Sequence, residues 1–266
     1  MKKADEFETE LLLKLIKYIK NVYHIDKQIE HIRDNRINPT YKTSQIISLV
    51  LTSFFLRIKS FNQLSYMIKT GEFDKMFSHE CGIPKIDAIR NSLKSIELVS
   101  LRRMLQCIIK KAVRNKVLDE GTIDGYTVAA IDGTKLFDNI DPHCDDCLLT
   151  RNKGKVYYSH SCAVMSLIGD GPNLVLDYEL YKHKNKVNDT GEGELITARK
   201  LLNRVGSAHN GLFDVVAYDA LACNAPFINE CINQDVEAVI RVKKNHILSI
   251  RKVKKETDLK NHTHTW

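Results

Sequence analysis

Two apolar runs in the second half of the chain each end on an aspartate, and that pairing constrains the fold more than any other feature. The first is Tyr126-Thr127-Val128-Ala129-Ala130-Ile131-Asp132-Gly133-Thr134-Lys135. The second is Leu212-Phe213-Asp214-Val215-Val216-Ala217-Tyr218-Asp219-Ala220. Each reads as a buried strand, short and apolar and rich in β-branched residues. A strand ending on a carboxylate delivers it to the rim of a sheet. If the strands are neighbours, Asp132 and Asp219 sit side by side, and two adjacent carboxylates stay ionised together only at a cost. A divalent metal relieves that repulsion, and metal held by carboxylates serves phosphoryl transfer. Asp-Gly alone is a common tight-turn pair, so Asp132 gains its meaning from the match with Tyr218-Asp219.

The segments around these runs predict an element order. Before about residue 120 the pattern is helical: Phe7 to Ile19, Thr43 to Ile58, a helix after Ser60 stopped by Gly71, one opened by Pro84, and one from Leu101 to Val117 capped by Ser100. After Asp119-Glu120-Gly121 strands take over. The first Asp strand is followed by a polar loop over about 138–154, a long strand over Val156 to Ile168, the turn Gly169-Asp170-Gly171-Pro172, and a strand over Asn173 to Tyr181. Then come a helix over Glu192 to Val205, the second Asp strand, a helix over Ala225 to Asn233 and a strand over Val236 to Val242. The expected organisation is an all-helical domain over 1–122 and an α/β domain over 123–266. The latter has a mixed five-stranded sheet flanked by helices.

Charge follows the same division. Residues 1–124 carry 22 Lys and Arg against 15 Asp and Glu, residues 125–235 carry 10 against 15, and residues 236–266 carry 8 against 3. Basic flanks suit phosphate binding and an acidic middle suits metal; ordinary variation in surface charge gives the same totals. No apolar run is long enough to span a membrane, since Ile46 to Ile58 already contains Arg57. The N-terminus does not resemble a signal peptide. Seven scattered cysteines, an odd number, favour a reducing cytosol over a disulfide framework.

Other constellations carry two readings each. Cys144 and Cys147 form a CxxC, and with His160 and Cys162 downstream they are candidates for tetrahedral zinc; the alternative places His160 and Cys162 in the core of a strand. Residues Ile83 to Ile96 and the preceding helix suit a helix-turn-helix with Lys85, Arg90 and Lys94 toward DNA, although helix pairs occur in any helical domain. Lys135 faces phosphate or solvent. Glu179 and Glu194 support the acidic site or are surface residues. Arg102, Arg103, Lys110, Lys111, Arg114 and Lys116 make a second basic face, and Arg251 to Lys260 a basic tail.

The order of strands resembles the ribonuclease H-like arrangement, in which the first and fourth strands adjoin at the sheet centre. More specifically, Asp132-Gly133-Thr134-Lys135, the Gly169-to-Glu179 hairpin, the Glu192-to-Val205 helix, Tyr218-Asp219-Ala220 and Val236 to Lys244 are similar to the DDE transposases of bacterial insertion sequences. Ser60-Phe61-Asn62-Gln63-Leu64 and Ile83 to Arg90 resemble that family's N-terminal region. The resemblance implies that Asp132 and Asp219 are catalytic ligands to two magnesium or manganese ions. It also implies cleavage and strand transfer of double-stranded DNA at terminal inverted repeats, by a homodimer in the bacterial cytosol. The family's third carboxylate is a Glu in a downstream helix with Tyr, Arg and Lys. That motif is not found, and Glu230, Glu237 and Glu256 do not stand where it would. The expectation is a C-terminally truncated transposase, or else an inactive remnant that binds DNA or a partner and inhibits the full-length enzyme.

Overall fold

A computed structural model gives the architecture and describes residues 2–74, 77, 82–142, 144–152, 154–185, 190–191 and 193–242. The chain divides into two compact units, Met1–Asn115 and Lys116–Trp266. The division falls just before the boundary expected from composition. Gly121 explains the difference, because it packs against the turn at Gly169 and Gly171, where a Cβ on Gly169 would run into the Gly121 carbonyl.

The first unit is helical among its described residues: α1 (Lys2–Tyr23), α2 (Ile25–Glu30), α3 (Thr43–Phe55), α4 (Phe61–Lys69), α5 (Ile86–Ser95) and α6 (Leu98–Arg114). Ile46, Leu49, Leu64, Phe73 and Ile89 form one buried cluster, and Ile29, Ile32 and Ile47 another. Ser60 caps α4, its Oγ accepting from the Gln63 N–H at 3.2 Å. Gly71 follows in a left-handed conformation, φ +74°, the ordinary end for a helix. Ser100 is not a cap. It lies inside α6, donates to the Glu97 carbonyl and accepts from the Arg33 N–H, so its hydroxyl ties the helix to the loop after α2. No helix among the described residues is long and apolar enough to cross a membrane.

The second unit is a mixed sheet with helices: β1 (Val128–Asn139), β2 (Leu148–Asn152), β3 (Lys155–Ile168), β4 (Leu174–Leu180), α7 (Glu194–Ala208), β7 (Val215–Tyr218), α8 (Ala225–Asn233) and β8 (Glu237–Ile240). Two short strands, β5 (His183–Asn185) and β6 (Thr190–Gly191), pair separately. The main sheet has six strands, not five. Its order is β2-β3-β1-β7-β8, with β4 also on β3. Because β3 is long, β2 pairs with its first part and β4 with its second. The extra strand, β2, lies in the segment expected to be loop. Its sequence, Leu-Leu-Thr-Arg-Asn, is too polar at its end to signal a strand, and it forms by pairing back on Lys155–Ser159. β1 runs antiparallel to β3 and parallel to β7, and β7 parallel to β8. The core comprises Ala129, Ile131, Ala163, Met165, Leu176 and Val216 from the strands, with Ala198, Leu201, Leu202 and Val205 from α7 and Phe227 from α8.

Candidate active site

The parallel pairing of β1 and β7 sets the positions of the two aspartates. Val128 pairs with Val215, Ala129 with Val216 and Ala130 with Ala217. Asp132 and Asp219 each stand two residues past the last pair of that register. The register is held at the other end by Asp214, whose carboxylate accepts from the Thr127 N–H at 2.8 Å while its own N–H donates to the Thr127 carbonyl at 2.9 Å. Beyond Ala217 the strands part, and β1 continues to Asn139 along β3. Asp132 and Asp219 therefore lie at the carboxyl end of the central parallel pair, where both are exposed. In sheets of this kind, crevices open at the carboxyl ends of parallel strands. Each aspartate has one oxygen oriented by backbone: Asp132 Oδ1 accepts from the Gly133 N–H and Asp219 Oδ1 from the Leu221 N–H, both at 2.9 Å. Among the described residues neither has an ion pair with lysine or arginine.

A third carboxylate reaches the same place. Glu194 is the first residue of α7, half-buried. A Cβ added to Gly133 would come 2.5 Å from Glu194 Oε1 and 2.6 Å from the Tyr181 hydroxyl, so the glycine leaves the space those groups occupy. Tyr218, the last residue of β7, donates to Glu194 Oε1 at 3.5 Å. The Tyr181 hydroxyl is buried and faces Glu194, without a hydrogen bond of good geometry. Burial, then the Glu194 charge, pushes both phenols well above their ordinary range; Asp132 adds to the effect on Tyr181, and Asp219 to that on Tyr218. Both hydroxyls keep their protons at neutral pH and so can donate to a neighbouring carboxylate. The result is a string of groups, Asp132, Tyr181, Glu194, Tyr218 and Asp219, joined by proximity. The three carboxylates do not all approach within 4.8 Å of one another, as the Cys144, Cys147 and His160 ligand atoms do.

The other acids have partners elsewhere. Arg204 on α7 donates to Asp177 Oδ2 and Glu179 Oε2, each at 2.6 Å, and to the Tyr178 carbonyl, so Glu179 fastens α7 to β4 and not to the aspartates. Glu230 is buried and paired with Arg199 at 3.4 Å. Glu237 opens β8 and is exposed. Glu256 and the basic tail lie outside the described residues. Lys135 is bound to Asp138 at 2.8 Å on the same strand. In the helical unit Lys85, Arg90 and Lys94 are exposed. Lys85 precedes α5, and Arg90 contacts Phe61 through its guanidinium, 5.4 Å from the ring centre. Residues 75, 76 and 78–81, between α4 and α5, lie outside the described residues.

Of the four zinc candidates, three meet. Cys144 Sγ lies 3.9 Å from Cys147 Sγ and 3.2 Å from His160 Nε2. Cys162 is buried beside Tyr181 instead, and burial raises its thiol pKa.

From the sequence Glu194 either supports the acidic site or is a surface residue, and neither Tyr181 nor Tyr218 has a role of its own. The available signal was positional: Glu194 begins a helix, and each tyrosine ends or follows a strand on the same rim.

The fold and site define a mixed α/β unit with an acidic cluster at the carboxyl ends of two central parallel strands. No protein-family model and no curated protein matches the sequence. Among solved structures the chain is similar to piggyBac transposase in a synaptic complex with hairpin DNA, at 14% identity and a TM-score of 0.43. The match covers 89% of this chain and 53% of that one, so the chain spans about half its length. A likeness of that degree assigns no family.

Proposed function

We propose that the chain is a DDE-class transposase with a ribonuclease H-like catalytic unit, and that Asp132 and Asp219 hold the divalent metal with which it cuts DNA; Glu194 stands beside them but precedes Asp219 in the chain, and so is not the downstream Glu of that class. The observation that carries this reading is the β1–β7 register, whose last pair, Ala130 with Ala217, lies two residues before Asp132 on one strand and two before Asp219 on the other. The strand order supports the fold: with β2 set aside, the antiparallel strands β4, β3 and β1 followed by the parallel β7 and β8, with β1 beside β7, follow the ribonuclease H-like order. The donor set fits a hard cation: carboxylate oxygens with no described lysine or arginine between them, beside an unpartnered buried hydroxyl on Tyr181. Magnesium or manganese held there supplies activation of a water or 3′-hydroxyl and neutralises charge on the leaving oxygen. The chain's own residues do the rest by position. Backbone N–H groups fix one oxygen of each aspartate. Tyr218 orients Glu194, and Gly133 leaves it room. Double-stranded DNA with terminal inverted repeats is the substrate in this reading, and a homodimer is the working unit.

The test is nicking of supercoiled plasmid by the full chain in magnesium or manganese. Nicking that depends on metal and falls at least about 100-fold in Asp132→Asn and Asp219→Asn, a barrier change of about 2.7 kcal/mol, is the expected result. Equal activity in the variants, or none in the native chain, would exclude it. One observation favours a second reading, a chain that binds DNA or a partner without cutting: the three carboxylates stay too far apart for one ion to touch all of them as they stand. DNA binding without nicking is its signature.

A further inference from the structure

The structure assigns a zinc site to Cys144, Cys147 and His160, at the connection between β1 and β2 and independent of the proposed DNA chemistry. A tetrahedral ion with Zn–S of about 2.3 Å and Zn–N of about 2.05 Å sets its ligand atoms about 3.8 Å apart for two sulfurs and about 3.5 Å for sulfur and nitrogen. The measured separations are 3.9 Å for Cys144 Sγ to Cys147 Sγ and 3.2 Å for Cys144 Sγ to His160 Nε2, and all three atoms lie within 4.8 Å of one another. The backbone is built for the arrangement. The Cys147 N–H donates to the Cys144 carbonyl at 3.3 Å, closing a turn that turns both thiols the same way. The next residue, Leu148, pairs with Ser159, which brings the turn alongside His160 on β3. The His160 ring rests on Phe137 of β1, centroids 4.9 Å apart, which fixes its plane and leaves Nε2 toward Cys144.

Binding forms two Zn–S bonds and one Zn–N bond, and two thiol protons pass to solvent. Solvent completes the fourth position on the side of the exposed Cys144. Cys162 stays outside the group: its thiol is buried beside Tyr181 and is not among the ligand atoms that lie within 4.8 Å of one another. The ion would join three strands, β1 through the loop it leads into, β2 through Cys147 and β3 through His160. A turn of polar residues such as Asp145-Asp146 has little apolar surface with which to fix itself, so a metal does what a core does elsewhere.

The experiment is metal analysis of the full chain, purified with added zinc and dialysed free of excess. About one zinc per chain is expected, falling at least about fivefold in Cys144→Ser and in His160→Ala and unchanged in Cys162→Ser. Cobalt replacement of the native chain should give thiolate charge-transfer absorption and the visible bands of a tetrahedral ion. This readout stands even if a variant fails to fold. Less than about 0.2 zinc per native chain, cobalt bound without thiolate absorption, or loss of zinc from a folded Cys162→Ser would overturn the assignment.

Discussion

Gly133 decides more of the acidic site than its size suggests. The atoms a Cβ would meet, Glu194 Oε1 and the Tyr181 hydroxyl, are the far ends of side chains, so an alanine displaces them without breaking the strand. Gly133→Ala should therefore leave the melting temperature nearly unchanged. It should slow metal-dependent nicking by on the order of 100-fold, as a small misplacement of a catalytic group does. Full activity with a displaced Glu194 would remove the glutamate from the site. Tyr181 tests the opposite effect. Its hydroxyl is buried without a well-formed hydrogen bond, and an unsatisfied buried hydroxyl costs about 1–3 kcal/mol. Tyr181→Phe should thus hold or raise the midpoint of chemical denaturation measured without metal. A clear loss of stability would mean that Glu194 or another group does bond it.

At the scale of elements, Arg204 decides whether α7 keeps Glu194 in place. It joins the helix to two carboxylates of β4, Asp177 and Glu179, both largely buried. Removing Arg204 takes a close charge partner from both carboxylates, at a cost of up to about 3–5 kcal/mol. Arg204→Ala should lower stability by about that amount in urea unfolding, and Arg204→Lys by less, because lysine lacks the planar fork that reaches both. In the helical unit Asp34 makes the corresponding tie, between the loop after α2 and α5. Burial opposes its charge, but Ser92 and Arg36 outweigh that and hold its carboxyl below the ordinary 3.8. A lowered carboxyl contributes stability fully present above the unfolded value and lost as pH falls through the folded one. Unfolding measured from pH 6 to 3 should therefore show a steeper acid loss for the native chain than for Asp34→Asn. Much of this element order was legible in the sequence, because the apolar runs ending on Asp132 and Asp219 and the turn at Gly169 to Pro172 are local signals. β2 was not, since its strand character comes from its partner. Glu194 was legible only as one of two readings, since nothing local distinguishes a helix-initiating glutamate on a sheet's rim from one in solvent. The CxxC was legible as a motif, but that His160 and not Cys162 faces it depends on the pairing of Leu148 with Ser159.

For the whole molecule the charge distribution matters most: 22 basic against 15 acidic residues over 1–124, and 10 against 15 over 125–235. If DNA is held mainly by phosphate contacts in the helical part, its affinity falls steeply with salt, by a slope of about 0.9 per phosphate neutralised. Replacing Lys85, Arg90 and Lys94 together by alanine should weaken binding to any duplex and reduce that slope by up to about 3, as read from fluorescence anisotropy across salt. An unchanged slope would place the DNA elsewhere. The central claim is narrower, that Asp132 and Asp219 share a cation. Manganese binding to the full chain, followed by electron paramagnetic resonance of the free ion, tests it most directly, because manganese prefers oxygen ligands and discriminates against the cysteine site. The account predicts saturable binding in the native chain that is lost in Asp132→Asn and in Asp219→Asn, each still folded. Binding that survives both substitutions, or no binding to the native chain, would contradict it.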